Sequence, residues 1–308
     1  MRILVIGLDG AAPEILFGDE NLVNFHRVAE FGCYGELEST HPLTADQAWL
    51  SVATGQDPGS ARGYEETAIW DPIIRQGKRA VVTGWLPFEL SGGNALVVHR
   101  FDGEVMDDDD LRTADKAQLK DQVYSASRKQ FEKVQHLLQT EDWGYFQFIE
   151  TGLGRIQRAF WPEPDMDRSL SKLENPDHAL VQDYYRQLDS ELETILETLT
   201  GDTMVLVISI QGAQLEEHSA LDNGSNSIQL GFFILAAPNN PLDGEIEATR
   251  LTDIAPTLLE LGGYEIPGSM QGKSLLSDWA LESSTETGLT ADEEEILRER
   301  LSGLGYIS

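Results

Sequence analysis

Short β-branched runs recur along the chain, each followed by a stretch whose apolar residues fall at helical spacing. The runs stand at Ile3–Ile6, Ala80–Thr83, Tyr145–Ile149, Val205–Ser209 and Phe232–Leu235, and the helical patterns at 22–31, 118–139, 178–199 and 253–262. In 178–199, Val181, Tyr184, Tyr185, Leu188, Leu192, Ile195, Leu196 and Leu199 repeat with a period near 3.6, which aims one face at a core. Strands that alternate with helices in this way demand crossover connections. They predict an α/β fold: a mostly parallel central sheet with helices on both faces. At 308 residues and 41% apolar content, one large core is affordable, so a single domain is expected over 1–308. Within it, 102–142 reads as a reduced helical insertion and 281–308 as a C-terminal loop plus helix, opened by the capping-box spacing Thr290-Ala291-Asp292-Glu293.

In such sheets chemistry gathers beyond the carboxyl ends of the strands. Asp9 ends the first run, in Ile6-Gly7-Leu8-Asp9-Gly10, where a carboxylate could hold a divalent cation, cap a helix or pair with a base. The same Asp interrupts the apolar run Ile3–Leu8, which excludes a signal peptide or a membrane span there and leads to an expected cytoplasmic location. Charge narrows the partners. Acidic residues outnumber basic ones 53 to 22, for a net charge of −31, and only 7 of the basic residues are Lys. Nucleic acid and anionic membranes are repelled by such a surface, whereas a basic protein partner or a salty cytoplasm suits it. Cys33 is the single cysteine, so no internal disulfide forms. The four adjacent carboxylates Asp107–Asp110 cannot converge on one ion and read as a solvated loop.

A longer series of segments is more specific. Leu22-Val23-Asn24-Phe25 leads to Gly35-Glu36-Leu37-Glu38-Ser39-Thr40, then to His41-Pro42-Leu43-Thr44-Ala45-Asp46-Gln47-Ala48-Trp49 and Ala53-Thr54-Gly55. Glu150 to Trp161, Asp183 to Ser209, Thr252-Asp253-Ile254-Ala255-Pro256-Thr257 and Met270-Gln271-Gly272-Lys273 follow in order. Together they resemble the type I phosphodiesterase/nucleotide pyrophosphatase branch of the alkaline phosphatase superfamily, over nearly the whole chain. The resemblance implies the alkaline-phosphatase-like α/β fold. It also implies two divalent ions, usually zinc, held by Asp and His beside a Thr or Ser nucleophile, with the ions steadying attacking and leaving oxygens.

Position by position, the implied set is largely missing. Asp9 matches the first carboxylate ligand. The nucleophile position, nine residues before Thr54, is Ala45; the paired Asp and His positions of the 150–161 segment are Gly154 and Arg158. The Asp-His pair after the Val205–Ser209 run is replaced by Ile210 and Gln211, and the last His falls near Ser227. Gly, Ile and Ala carry no side-chain donor, and Arg places a permanent cation at a cation's ligand position. The expected function is therefore a catalytically inactive, phosphodiesterase-like protein that acts by binding or scaffolding with a protein partner. No cofactor is expected, and Arg158 is expected to approach Asp9 in a salt bridge that replaces the metal charge.

Two alternatives stay open. One is a metal-free binder of phosphate or sulfate esters, using Arg158, Arg155 and the helix N-terminus near Ala45–Trp49. The other is an active hydrolase whose site has been rebuilt around zinc or manganese. Thr44 would then serve as nucleophile, and the ligands would come from Asp9, Asp46, Glu150, Glu216, Glu217 and His218.

Overall fold

The computed structural model describes residues 1–38, 44–58, 67–84, 94–99, 115–160, 176–212 and 231–277. Two units divide the chain, Met1–Ser274 and Leu275–Ser308, and the architecture below is that of the first. Among the described residues its strands form one nine-stranded sheet. They are β1 (Arg2–Leu8), β2 (Gly32–Glu38), β3 (Arg79–Gly84), β4 (Ala95–His99), β5 (Trp143–Glu150), β6 (Thr203–Ser209), β7 (Gly231–Ala236) and the short β8 (Gly244–Glu245) and β9 (Thr249–Arg250). The order is β4-β3-β5-β1-β6-β7-β2-β8, with β9 also on β2. Only β7 runs against its neighbours, β6 and β2; all other pairings are parallel. The mostly parallel α/β fold expected from the alternating pattern is the one observed.

The central strand explains why both faces are covered. Leu4, Ile6 and Leu8 point to one side, into a core shared with Phe146, Phe148, Val205 and Val207. That face is closed by α1 (Pro13–Gly18), α2 (Val23–Glu30), α5 (Lys116–Thr140), α6 (Gly152–Phe160) and α7 (Pro176–Thr198), as in the edge-on stacking of Phe131 against Phe148 at 5.6 Å. The alternate residues Ile3 and Val5 are equally buried on the other face. There lie α3 (Ala45–Thr54), α4 (Trp70–Arg75) and α8 (Ile254–Leu261), with Trp70 beside Tyr145 at 5.9 Å between ring centroids. Each fully buried Ile, Leu or Val is worth about 1.5–3 kcal/mol by transfer, which makes period-two burial on two faces the main determinant of the sheet.

Some elements lacked a β-branched signal. β2, Gly-Cys-Tyr-Gly-Glu-Leu-Glu, has none, yet it pairs with β7 along its length. It tolerates Gly35 because the Ile246 carbonyl crosses where a side chain would stand. The described part of 102–142, α5, contributes Leu119, Val123, Phe131 and Val134 to the main core. Helix entry is fixed by long-range caps: the buried Asp189 of α7 accepts from the Asn24 and Phe25 amides at 2.9 Å each and from Asn24 Nδ2 at 2.8 Å, satisfying the first turn of α2. No helix among the described residues is long and apolar enough to cross a membrane.

Candidate functional site

β5, β1 and β6 lie side by side in register, Leu8 opposite Glu150 and Gly7 opposite Ile208, so their carboxyl ends open at one level. Asp9 follows β1 directly, and its amide donates to the Glu150 carbonyl at 2.9 Å, which holds it beside the end of β5. Gly10 then turns with φ of +77°, a value that favours glycine. A Cβ on Gly10 would stand 3.2 Å from the Gly154 Cα, so a pair of glycines lets the first turn of α6 drop onto the end of β1.

Glu150 sets that helix in place. Its side chain is 1% exposed and accepts from the Gly152 amide at 2.7 Å, the Leu153 amide at 3.0 Å and the Tyr184 hydroxyl at 2.8 Å. The carboxyl is thus the N-terminal cap of α6 and its link to α7. Burial pushes its pKa above the ordinary carboxylate range, and the neighbouring Asp9 charge adds to the rise, against the pull of the three donors. Gly152 is obligatory by packing, since a Cβ there would overlap the Tyr184 hydroxyl. Alongside, the Tyr185 hydroxyl accepts from the Ala12 amide at 2.8 Å and from Gln157 Nε2 at 2.9 Å, tying α6 and α7 to the residues after β1.

Asp9, Gly154 and Arg158 come together at this point. A Cβ on Gly154 would stand 3.3 Å from Asp9 Oδ2 and 3.7 Å from Arg158 Nη1. Arg158 is four residues on, along the same side of α6, and both charged side chains are half-buried. The carboxylate and the guanidinium therefore flank one glycine, at the place where the resemblance implies an Asp. Arg155, also half-buried, is on the same helix.

At the end of β6, Ile210 and Gln211 are buried, and Ser209 Oγ donates to the Gln211 carbonyl at 2.8 Å. Thr44 is the N-cap of α3, in a reciprocal capping box with Gln47: its Oγ1 accepts from the Gln47 amide at 3.3 Å, and its own amide donates to Gln47 Oε1 at 3.0 Å. Ala45 is the first residue of that helix and Asp46 is exposed. Trp49 of α3 lies against Gly7, which sets α3 beneath the end of β1. His26 Nε2 lies 3.1 Å from the Asp19 carbonyl. Ser227, Glu216, Glu217, His218 and His41 lie outside the described residues.

The described residues here do not fit a divalent metal. Among the five implied ligand positions they include, only Asp9 offers a carboxylate; Gly154 and Ile210 offer no side-chain donor atom, and Arg158 offers only N–H groups on a permanent cation. No three His, Cys, Asp or Glu side chains converge as a ligand set among the described residues. The role of Glu150 as an internal cap carried no local sequence signal beyond the Gly two residues later, because its third partner, Tyr184, is 34 residues away.

No protein-family model matches the sequence, and no curated protein matches it. Solved structures do. A 2-O GAG sulfatase superposes with a TM-score of 0.66 at 14% identity, over 90% of this chain and 73% of its own. A protein of the alkaline phosphatase superfamily from Vibrio parahaemolyticus gives 0.56 at 16%, over 89% and 69%. A phosphonate monoester hydrolase from Silicibacter pomeroyi gives 0.57 at 15%, over 89% and 76%. At these identities the likeness shows the fold alone, which is alkaline-phosphatase-like.

Proposed function

We propose that this chain is a non-catalytic protein built on an alkaline-phosphatase-like hydrolase fold, with its former catalytic end refilled and its function carried by binding. One observation supports this above the others: Asp9 and Arg158 flank Gly154, so a fixed guanidinium and a missing side chain stand where a hydrolase of the type I phosphodiesterase kind would need ligands. Ala45 at the head of α3 leaves no oxygen to attack an ester, and the Thr44 hydroxyl is engaged in capping. The partner that suits a chain of net charge −31 is a protein presenting basic side chains.

Ester binding without hydrolysis is favoured less. Amides at the N-termini of α3 and α6 would be natural anion donors, but those of Gln47, Gly152 and Leu153 are already bonded to the protein's own side chains. A rebuilt hydrolase using Thr44 and Glu150 would have to give up both caps.

The test is metal content of zinc-supplemented protein, alongside turnover of bis-p-nitrophenyl phosphate and p-nitrophenyl sulfate with zinc or manganese. The expected result is no retained metal and no turnover above an Asp9→Ala control. About two ions per chain with Asp9-dependent turnover, as two-metal catalysis requires, would overturn the reading.

A further inference from the structure

Two of the residues that do not fit a metal, Gly154 and Arg158, are grouped around one carboxylate, that of Asp9. Asp9 is half-buried beside the buried Glu150, and a half-buried carboxylate calls for positive charge. The helix that follows β5 meets this need in two ways. Its N-terminus is directed at Glu150 through the Gly152 and Leu153 amides. One turn further on, Arg158 brings Nη1 to the same glycine that Asp9 Oδ2 touches.

We infer that the Arg158 guanidinium is a built-in substitute for a bound cation at Asp9, and that Gly154 is the space which lets the long side chain reach that position. The inference rests on the non-catalytic reading above and deepens it: the site is filled from within by a charge that cannot dissociate. Arginine keeps its proton at any physiological pH, and its planar fork holds less hydration than an ammonium, which suits a half-buried position. Gly154 matters as much as the arginine. A side chain there would meet Asp9 Oδ2 at 3.3 Å and the guanidinium at 3.7 Å, so a carboxylate at 154 would compete with Asp9 for the same cation.

It follows that the site converts by side-chain exchange alone. Gly154→Asp with Arg158→His replaces the internal cation by two donors, a carboxylate and an imidazole, on the side of α6 that faces Asp9. Oxygen and nitrogen donors of this kind suit zinc.

The experiment is zinc titration of full-length protein by calorimetry and by thermal shift, with circular dichroism to establish folding. Wild type is expected to show no zinc-dependent shift that Asp9→Ala removes. The Gly154→Asp/Arg158→His variant is expected to bind at least about tenfold more tightly than wild type, a difference of about 1.4 kcal/mol, and to lose that gain when Asp9→Ala is added. A folded double variant with no gain overturns the inference, and so does Asp9-dependent zinc binding by wild type. Should the double variant fail to fold, Arg158→His alone decides: a zinc shift abolished by Asp9→Ala supports the inference, and its absence in folded protein overturns it. Ester turnover by wild type that needs no metal would sink the non-catalytic reading, whereas a folded double variant without a zinc gain would sink this inference alone.

Discussion

Replacing Glu150 by alanine tests whether the catalytic end of the fold is held by an internal cap. The substitution removes the acceptor of the Gly152 and Leu153 amides at the head of α6, and it strands the Tyr184 hydroxyl in a fully buried position. Loss of an N-cap costs about 1 kcal/mol, and an unsatisfied buried hydroxyl a further ~1–3 kcal/mol. Together these predict about 2–4 kcal/mol at low pH, read as a shift of the urea midpoint at unchanged slope. Tyr184→Phe alone should cost about 1 kcal/mol, one hydrogen bond to the protonated carboxyl. The double variant should cost less than Glu150→Ala, because no hydroxyl is left to strand, giving a coupling of more than about 1 kcal/mol. The effect also depends on pH. Because the folded carboxyl holds its proton more tightly than the unfolded one, stability contributed by Glu150 is fully present below the ordinary carboxylate pKa. It declines as pH rises from there through the raised folded value, so the gap between wild type and Glu150→Ala should narrow over that window. Strict additivity of the two substitutions, or a gap that widens with pH, would refute the reasoning.

Two further outcomes are expected. Asp189→Ala, which uncaps α2 across the interface with α7, should destabilise by about 2–3 kcal/mol in urea unfolding, as loss of a buried acceptor of several donors does; a loss under about 0.5 kcal/mol would show the cap to be dispensable. Raising salt from low to molar concentration should raise the melting temperature, since screening relieves the self-repulsion of a −31 charge; an unchanged or lowered midpoint would count against a repulsion-limited fold.

The strands that sequence made legible were those buried on both faces. Ile3–Ile6 and Val205–Ser209 carry continuous β-branched or aliphatic runs because parallel strands in mid-sheet touch helices on each side. β2 was hidden for the opposite reason: it lies towards the sheet edge, alternates buried with exposed positions, and is specified by its partners β7, β8 and β9 more than by its own composition. At the candidate site, Asp9 was readable from its position after the first strand. Gly154 and Arg158 could be named only through the family resemblance, and their meeting at Asp9 depends on the descent of α6 onto Gly10, a tertiary contact with no local signature. Thr44 carries both signals at once. Beside a missing nucleophile it invites a catalytic reading, yet Thr-x-x-Gln is a capping box, and that is the role it takes.

The level ends of β5, β1 and β6 have a consequence for descent. On the non-catalytic reading proposed above, the difference from a working hydrolase of this fold lies at a handful of side chains and not in the course of the backbone. Codons for Gly and Asp, for Arg and His, and for Gln and His can each differ by a single base, so several of the steps between the two conditions are short and none of them requires an insertion or a new strand pairing. A lineage built this way can carry a dormant chemistry for as long as something else selects for the scaffold, and proteins on either side of the boundary would be hard to tell apart by shape.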